Sequence, residues 1–176
     1  MIALIGMGSG TPESLTAQGL AALQNAGLIL GAKRLLEQLP QGCTEHRKAL
    51  YQPEDVLAAL AADPEVDAAL VYSGDTGFYS GAAQLLPMLR AFGISCRVLP
   101  GLSSVQLLAA AVGRSWQEWS VVSAHGLNCD PVGEILAAHG KPVFFLTSGA
   151  DGAGSLCERL TQAGLGHLTA TVGQSL

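Results

Sequence analysis

Ala68-Ala-Leu-Val-Tyr-Ser-Gly-Asp-Thr-Gly-Phe-Tyr-Ser-Gly81 is the stretch on which the fold turns. Ala68–Tyr72 is a short apolar run without alternation, the pattern of a strand covered on both faces of a parallel sheet. It stops at Ser73-Gly74-Asp75, and helical spacing resumes from about Gly81 to Phe92. Strand, small polar loop and helix make one step of an alternating βα pattern. The step recurs upstream. Ile2–Gly6 reads as a buried strand, followed by a glycine loop and a helix over Leu15–Asn25. Leu28–Leu30 is a second strand leading to a helix around Lys33–Leu39, and Pro53 opens a helix with Val56, Leu57 and Leu60 at helical spacing. Downstream, the strand Ser95–Leu99 is broken by Pro100-Gly101, and Ser103–Ala111 forms the next helix. Strands at Ser120–Ser123, Pro142–Thr147 and Leu168–Val172 are separated by helices near Val132–His139 and Ser155–Ala163. The expected fold is α/β, with a mostly parallel sheet and right-handed crossovers. The pattern pauses around Gly113–Glu118, which divides the chain into expected domains 1–114 and 115–176.

Composition bounds the function. The chain is 49% hydrophobic and only 13% charged, against a usual charged fraction of roughly 25%. It therefore has ample material for a core, built mostly from Ala, Leu and Gly. The charge-free stretches Ser14–Ala32 and Val98–Gly113 carry too many polar, Gly and Pro residues to span a bilayer. The N-terminus lacks a basic region ahead of its apolar run, so it reads as a strand and not as a signal peptide. Cys43, Cys96, Cys129 and Cys157 are far apart, without the paired spacing of a zinc site, and are read as isolated buried thiols. A net charge of −5 argues against a nucleic-acid surface. No metal, membrane or nucleic acid is expected.

In sheets of this kind ligands gather at the carboxyl ends of the strands. Three loops fall there. Gly6-Met-Gly-Ser-Gly-Thr-Pro-Glu13 follows the first strand with G-x-G-x-G spacing; it is either ligand-facing or a tight turn. Ser73–Gly81 follows the central strand, where small residues let backbone groups approach a ligand closely. The alternative there is that Asp75 only caps the following helix. In Pro100-Gly-Leu-Ser-Ser104, Ser103 is either an N-cap or a ligand contact.

Taken in order, the glycine loop, S-G-D-x-G-F-Y-S-G and P-G-x-S-S resemble the tetrapyrrole methylases, the class III enzymes that use S-adenosylmethionine. Ala32-Lys33-Arg34-Leu35 and Ser123-Ala124-His125-Gly126 resemble the branch of the cobalt-precorrin-7 (C-5)-methyltransferases, and equally the N-terminal half of the fused precorrin-6Y (C-5,15)-methyltransferase. The resemblance implies a two-domain class III methyltransferase fold, with a mostly parallel sheet in the first domain and a mixed sheet in the second. That second domain is expected to be incomplete, since the sequence stops at Val172-Gly173-Gln174-Ser175-Leu176 before the last strands such enzymes have. The resemblance also implies S-adenosylmethionine folded in a cleft between the domains. Ser9, Ser73, Gly74, Asp75, Phe78, Ser103 and Ser104 would contact it, with Leu146 and Gly173 from the second domain. Two positions depart from the family pattern: Thr11 stands where an acid is common, and Thr76 where proline is common.

The implied reaction is C-methylation of a precorrin or cobalt-precorrin in cobalamin biosynthesis. A polyanionic substrate meeting an acidic chain needs local cations, for which Lys33 and Arg34 are the candidates, with Arg114 behind them. His125 is the candidate for taking a proton or orienting the ring, beside the alternative of a histidine satisfied within the fold. A cytoplasmic homodimer is expected. The competing readings are a methylase of the same superfamily acting on RNA or on a protein histidine derivative, and a non-catalytic nucleotide- or tetrapyrrole-binding module.

A dinucleotide site is not expected. The third fingerprint glycine is replaced by Thr11, and no acid follows the second strand at Leu30-Gly31-Ala32-Lys33. NAD and NADP should therefore give no saturable signal in calorimetric titration; micromolar binding of either would overturn this reading of the first loop.

Overall fold

The computed structural model describes residues 1–125, 129–149 and 152–174. They fall into two compact units, Met1–Ser103 and Ser104–Leu176. The sequence division at 114/115 lies further along, past the helix that opens the second unit.

The first unit contains β1 (Ile2–Gly6), a 3-10 turn at Pro12–Ser14, α1 (Ala17–Asn25), β2 (Leu28–Gly31) and α2 (Lys33–Leu36). It continues with β3 (Arg47–Lys48), α3 (Pro53–Ala62), β4 (Ala68–Tyr72), α4 (Ala82–Ala91) and β5 (Cys96–Leu99). The strands form one parallel sheet in the order β3-β2-β4-β1-β5. Because side chains alternate across a strand, neighbours in β1 serve different cores. Ile2 and Leu4 join Leu28, Leu30 and Leu70 under α3 and α4, against Val56, Leu60, Leu85 and Leu89. Ile5 joins Ile29, Ala69, Val71 and Leu99 under α1 and α2, against Leu23, Leu35 and Leu36. The continuous apolar reading of Ala68–Tyr72 follows from this double covering.

Local chemistry sets the helix starts. Thr16 caps α1 by accepting the Gly19 amide at 3.1 Å. Pro53 sits in the first turn of α3, followed by Glu54 and Asp55 at the positive end of the helix dipole. Two details differ from the sequence expectation. The helix after β2 is a single turn ending at Leu36, ahead of Pro40. The two-residue β3 is too short to leave a periodic signal.

The second unit holds α5 (Ser104–Ala111), β6 (Ser120–Ser123), α6 (Pro131–Ala137), β7 (Val143–Leu146) and α7 (Gly152–Gln162). Its sheet pairs β6 with β7 in parallel, joined through α6. The antiparallel component of the expected mixed sheet does not occur among the described residues. Nor does the strand expected at Leu168–Val172: that segment is irregular, with Leu168 43% and Val172 65% exposed. Alternating hydrophobicity makes a strand only where a neighbouring edge accepts its ladder, and no edge among the described residues pairs with it. The reading of four buried thiols is corrected too: all four cysteines are free, but only Cys43 is buried and the others are half-buried. Desolvation in the core raises the Cys43 thiol above its ordinary pKa. No helix of the described residues is long and apolar enough to cross a membrane.

The carboxyl ends of β4, β1 and β5 meet in a close-packed junction. A Cβ on Gly6 would stand 2.6 Å from both the Gly101 nitrogen and the Gly74 oxygen. A Cβ on Gly101 would meet the same Gly74 oxygen and the Gly6 carbonyl. Three backbone segments thus touch without intervening side chains. Gly101→Ala should cost more than about 2 kcal/mol in urea denaturation, since every obstructing atom is backbone. Gly154→Ala, in α7 with nothing within 4 Å of the added carbon, should be neutral or stabilise by up to about 1 kcal/mol. Equal effects of the two substitutions would contradict the close-packed junction.

Candidate functional site

Around that junction the three loops are tied by their backbones. The Met7 amide donates to the Tyr72 carbonyl at 2.8 Å, extending the β1–β4 ladder one residue beyond Gly6. Gly8 and Gly74 then exchange both hydrogen bonds, at 3.0 and 2.9 Å, as an isolated antiparallel bridge. Both lie at positive φ, 60° and 68°, a region glycine enters without steric cost. The Gly10 amide closes the first loop on the Met7 carbonyl at 3.0 Å. The buried Ser14 hydroxyl lies 2.9 and 2.8 Å from the Met7 and Thr11 carbonyls, its one proton shared between them. The G-x-G-x-G segment is therefore a fixed turn whose outer face carries the exposed Ser9.

In the second loop Ser73 is exposed, while Asp75 turns inward. Its Oδ1 accepts the Gly77 amide at 2.9 Å and its Oδ2 accepts the Gly101 amide at 3.0 Å. Asp75 is thus not the cap of α4; the Ser80 hydroxyl takes the Ala82 amide at 3.2 Å instead. Thr76 is buried, and its hydroxyl donates to the Leu99 carbonyl at 3.3 Å. Phe78 and Tyr79 stack edge to face with centroids 5.1 Å apart, and Tyr79 takes a φ of 48° with 57% of its surface exposed. A bulky residue at positive φ is uncommon. Burial pushes the Tyr72 phenol up to about 12, so it stays protonated across physiological pH. In the third loop Ser103 is buried and Ser104 begins α5.

Ser9, Ser73, Gly74, Asp75, Phe78 and Ser103 therefore lie on loops after the adjacent strands β1, β4 and β5. Lys33 and Arg34 form the turn after β2, at the same end of that sheet; both are exposed, and Lys33 approaches Glu37 at 4.0 Å. In the second unit, Leu146 ends β7 and its carbonyl accepts the Ala124 amide at 2.8 Å. His125, exposed, follows at the corresponding end of β6, its amide 3.4 Å from the Ser123 hydroxyl. Gly126, the last residue of that motif, lies outside the described residues, and Gly173 is exposed outside any regular element. Sequence reading missed the ties of the second loop to the third, Thr76 to the Leu99 carbonyl and Asp75 to the Gly101 amide. Their signal, a buried hydroxyl and a glycine forced by a distant backbone, is visible only in three dimensions.

The family model of the Tetrapyrrole (Corrin/Porphyrin) Methylases matches residues 1–175. The chain is 30% identical to the cobalt-precorrin-7 C(5)-methyltransferase of Salmonella typhimurium, over all of this chain and 85% of that protein. It is 28% identical to the precorrin-6Y C(5,15)-methyltransferase of Sinorhizobium sp, over 99% of this chain and 42% of that longer protein. Among solved structures, the methyltransferase CobJ superposes with a TM-score of 0.72 at 22% identity, covering 92% of this chain and 75% of that one. The precorrin-6Y methylase of Archaeoglobus fulgidus gives 0.67 at 21% identity, covering 85% and 74%. At such identities the structural likeness is one of fold. Over nearly its whole length, then, this chain belongs to the tetrapyrrole methylases, a family of methyltransferases.

Proposed function

We propose that the chain transfers a methyl group from S-adenosylmethionine to a ring carbon of a precorrin or cobalt-precorrin, at C-5, in cobalamin biosynthesis. The observation that carries the reading is the junction of three small-residue loops at the carboxyl ends of β4, β1 and β5. A nucleoside with a charged amino-acid tail needs close backbone approach and several polar partners. Gly74, where an added Cβ would meet nothing nearer than the Leu102 oxygen at 3.9 Å, supplies the first, while the glycines at 6, 8 and 101 let the loops pack on one another behind it. The hydroxyls of the exposed Ser9 and Ser73 supply partners, and Phe78 offers an apolar wall. The donor set fits the cofactor. When bound, S-adenosylmethionine would supply an electrophilic methyl on a sulfonium.

What the chain itself contributes is alignment. Bringing carbon and methyl within near-attack distance is worth roughly 7–11 kcal/mol at best, and it requires loops that do not shift, which the backbone bridge between Gly8 and Gly74 provides. Arg34 anchors a ring carboxylate through the planar fork of its guanidinium, with Lys33 as a weaker companion because Glu37 lies beside it. His125 orients the macrocycle or takes its proton. The enzyme works as a cytoplasmic homodimer; for the dimer, the support is an apolar excess of 49% hydrophobic residues, material for a buried subunit surface.

Titration with S-adenosylhomocysteine should show saturable one-site binding, and its absence would remove the methyltransferase mechanism from this chain. Arg34→Ala should weaken precorrin binding about tenfold and leave S-adenosylhomocysteine affinity within about twofold. His125→Ala should lower turnover more than cofactor affinity. Normal methylation rates in both variants would make those residues structural.

A further inference from the structure

We propose that Asp75 and Thr76 form a two-point latch that fixes the Pro100–Ser104 loop, so that Asp75 serves cofactor binding by positioning Gly101 and not by touching the cofactor. The latch rests on the cofactor reading of this site and assigns the division of labour within it.

The two consecutive side chains reach the same short segment on either side of Pro100. Thr76 donates its hydroxyl to the Leu99 carbonyl at 3.3 Å, and Asp75 accepts the Gly101 amide at 3.0 Å. Leu99 is the last β5 residue in register with β1, opposite Ile5. Beyond it the ladder stops, and Pro100 has no amide to continue it. The latch therefore begins where the sheet ends. The other carboxylate oxygen of Asp75 holds the Gly77 amide at 2.9 Å, which fixes the side chain's direction from its own loop. A carboxylate suits this place because both of its oxygens accept. An asparagine has one accepting oxygen, and its NH2 group would face an amide donor. The Gly101 position is held sterically as well, since it packs on the Gly74 oxygen and the Gly6 carbonyl. Contact from one side and hydrogen bonds from the other leave the entry to Ser103 with a single geometry.

The test uses the full chain with S-adenosylhomocysteine as probe. Calorimetric titration is run on the wild type, Asp75→Asn, Asp75→Ala and Thr76→Val, and amide hydrogen exchange at Gly101 is followed by NMR. Asp75→Asn and Asp75→Ala should lower affinity alike, about tenfold or more, and Thr76→Val about threefold. The Gly101 amide should exchange slowly in the wild type and faster in Asp75→Asn. Asp75 variants that lose affinity while the Gly101 amide still exchanges as slowly as in the wild type would make the carboxylate a direct acceptor for the ligand and overturn the latch. Rapid exchange of Gly101 in the wild type would overturn it too, without recourse to any variant. A wild type that fails to bind the probe would overturn the cofactor reading and with it the latch's part in binding; a slow Gly101 amide would mark that failure as distinct.

Discussion

The constraint on which the first unit depends is the contact of backbone with backbone at Gly6, Gly74 and Gly101. Where a side chain would stand 2.6 Å from a carbonyl oxygen, no packing adjustment is available, because the obstructing atoms belong to other strands' main chains. Glycine at 6 and 101 is a condition for the strands to end together, and glycine at 74 suits its φ of 68°. Once they do, the loops beyond them leave from one place, and their own hydrogen bonds have partners within reach. The Gly8–Gly74 bridge, the turn closed on the Met7 carbonyl, and the reach of Asp75 to Gly101 all presuppose it.

This arrangement separates holding from binding. The buried Ser14 and Thr76 and the half-buried Asp75 hydrogen-bond to backbone. The outward-facing Ser9 and Ser73 are exposed. A small-residue loop needs such internal fixing because it has no side-chain bulk to pack, and an unfixed loop would lose conformational entropy on binding any ligand. Thr76 shows how the fixing is achieved: a buried hydroxyl would cost free energy if left unpaired, and the end of β5 offers it the Leu99 carbonyl.

Much of the fold was legible because double-covered strands are apolar throughout, and β1, β2 and β4 carry that signature; the edge strand β5 includes Arg97 and was marked by the Pro100-Gly101 that ends it. Pro53 announced its helix by local chemistry alone, whereas the Thr16 cap was not read and α1 begins at Ala17, two residues after the expected Leu15. What sequence could not give were features decided by a distant partner. β3 is two residues long and exists because the β2 edge is there to pair with. Leu168–Val172 has the hydrophobicity of a strand, and no edge among the described residues pairs with it. The candidate loops were legible from their glycines and from family likeness, yet the task of Asp75 was not. The amides its two oxygens accept lie two and twenty-six residues away, and neither a ligand contact nor a helix cap, the two readings of Ser-Gly-Asp, anticipated them.

The proposed function puts the cofactor at one face of the first unit, the carboxyl end of the sheet, and the rest of the proposed chemistry depends on that placement. The opposite end offers a rival location, an apolar hollow of about 650 Å³ lined by Ile2, Leu57, Leu60, Val66, Phe92 and Ile94. A crystal structure of the S-adenosylhomocysteine complex decides between them. The predicted result is electron density for the adenosyl group against Gly74–Phe78, within hydrogen-bond reach of the loop that carries Ser103. Density in the hollow at the amino-terminal end of the sheet, with the three loops bare, would contradict it.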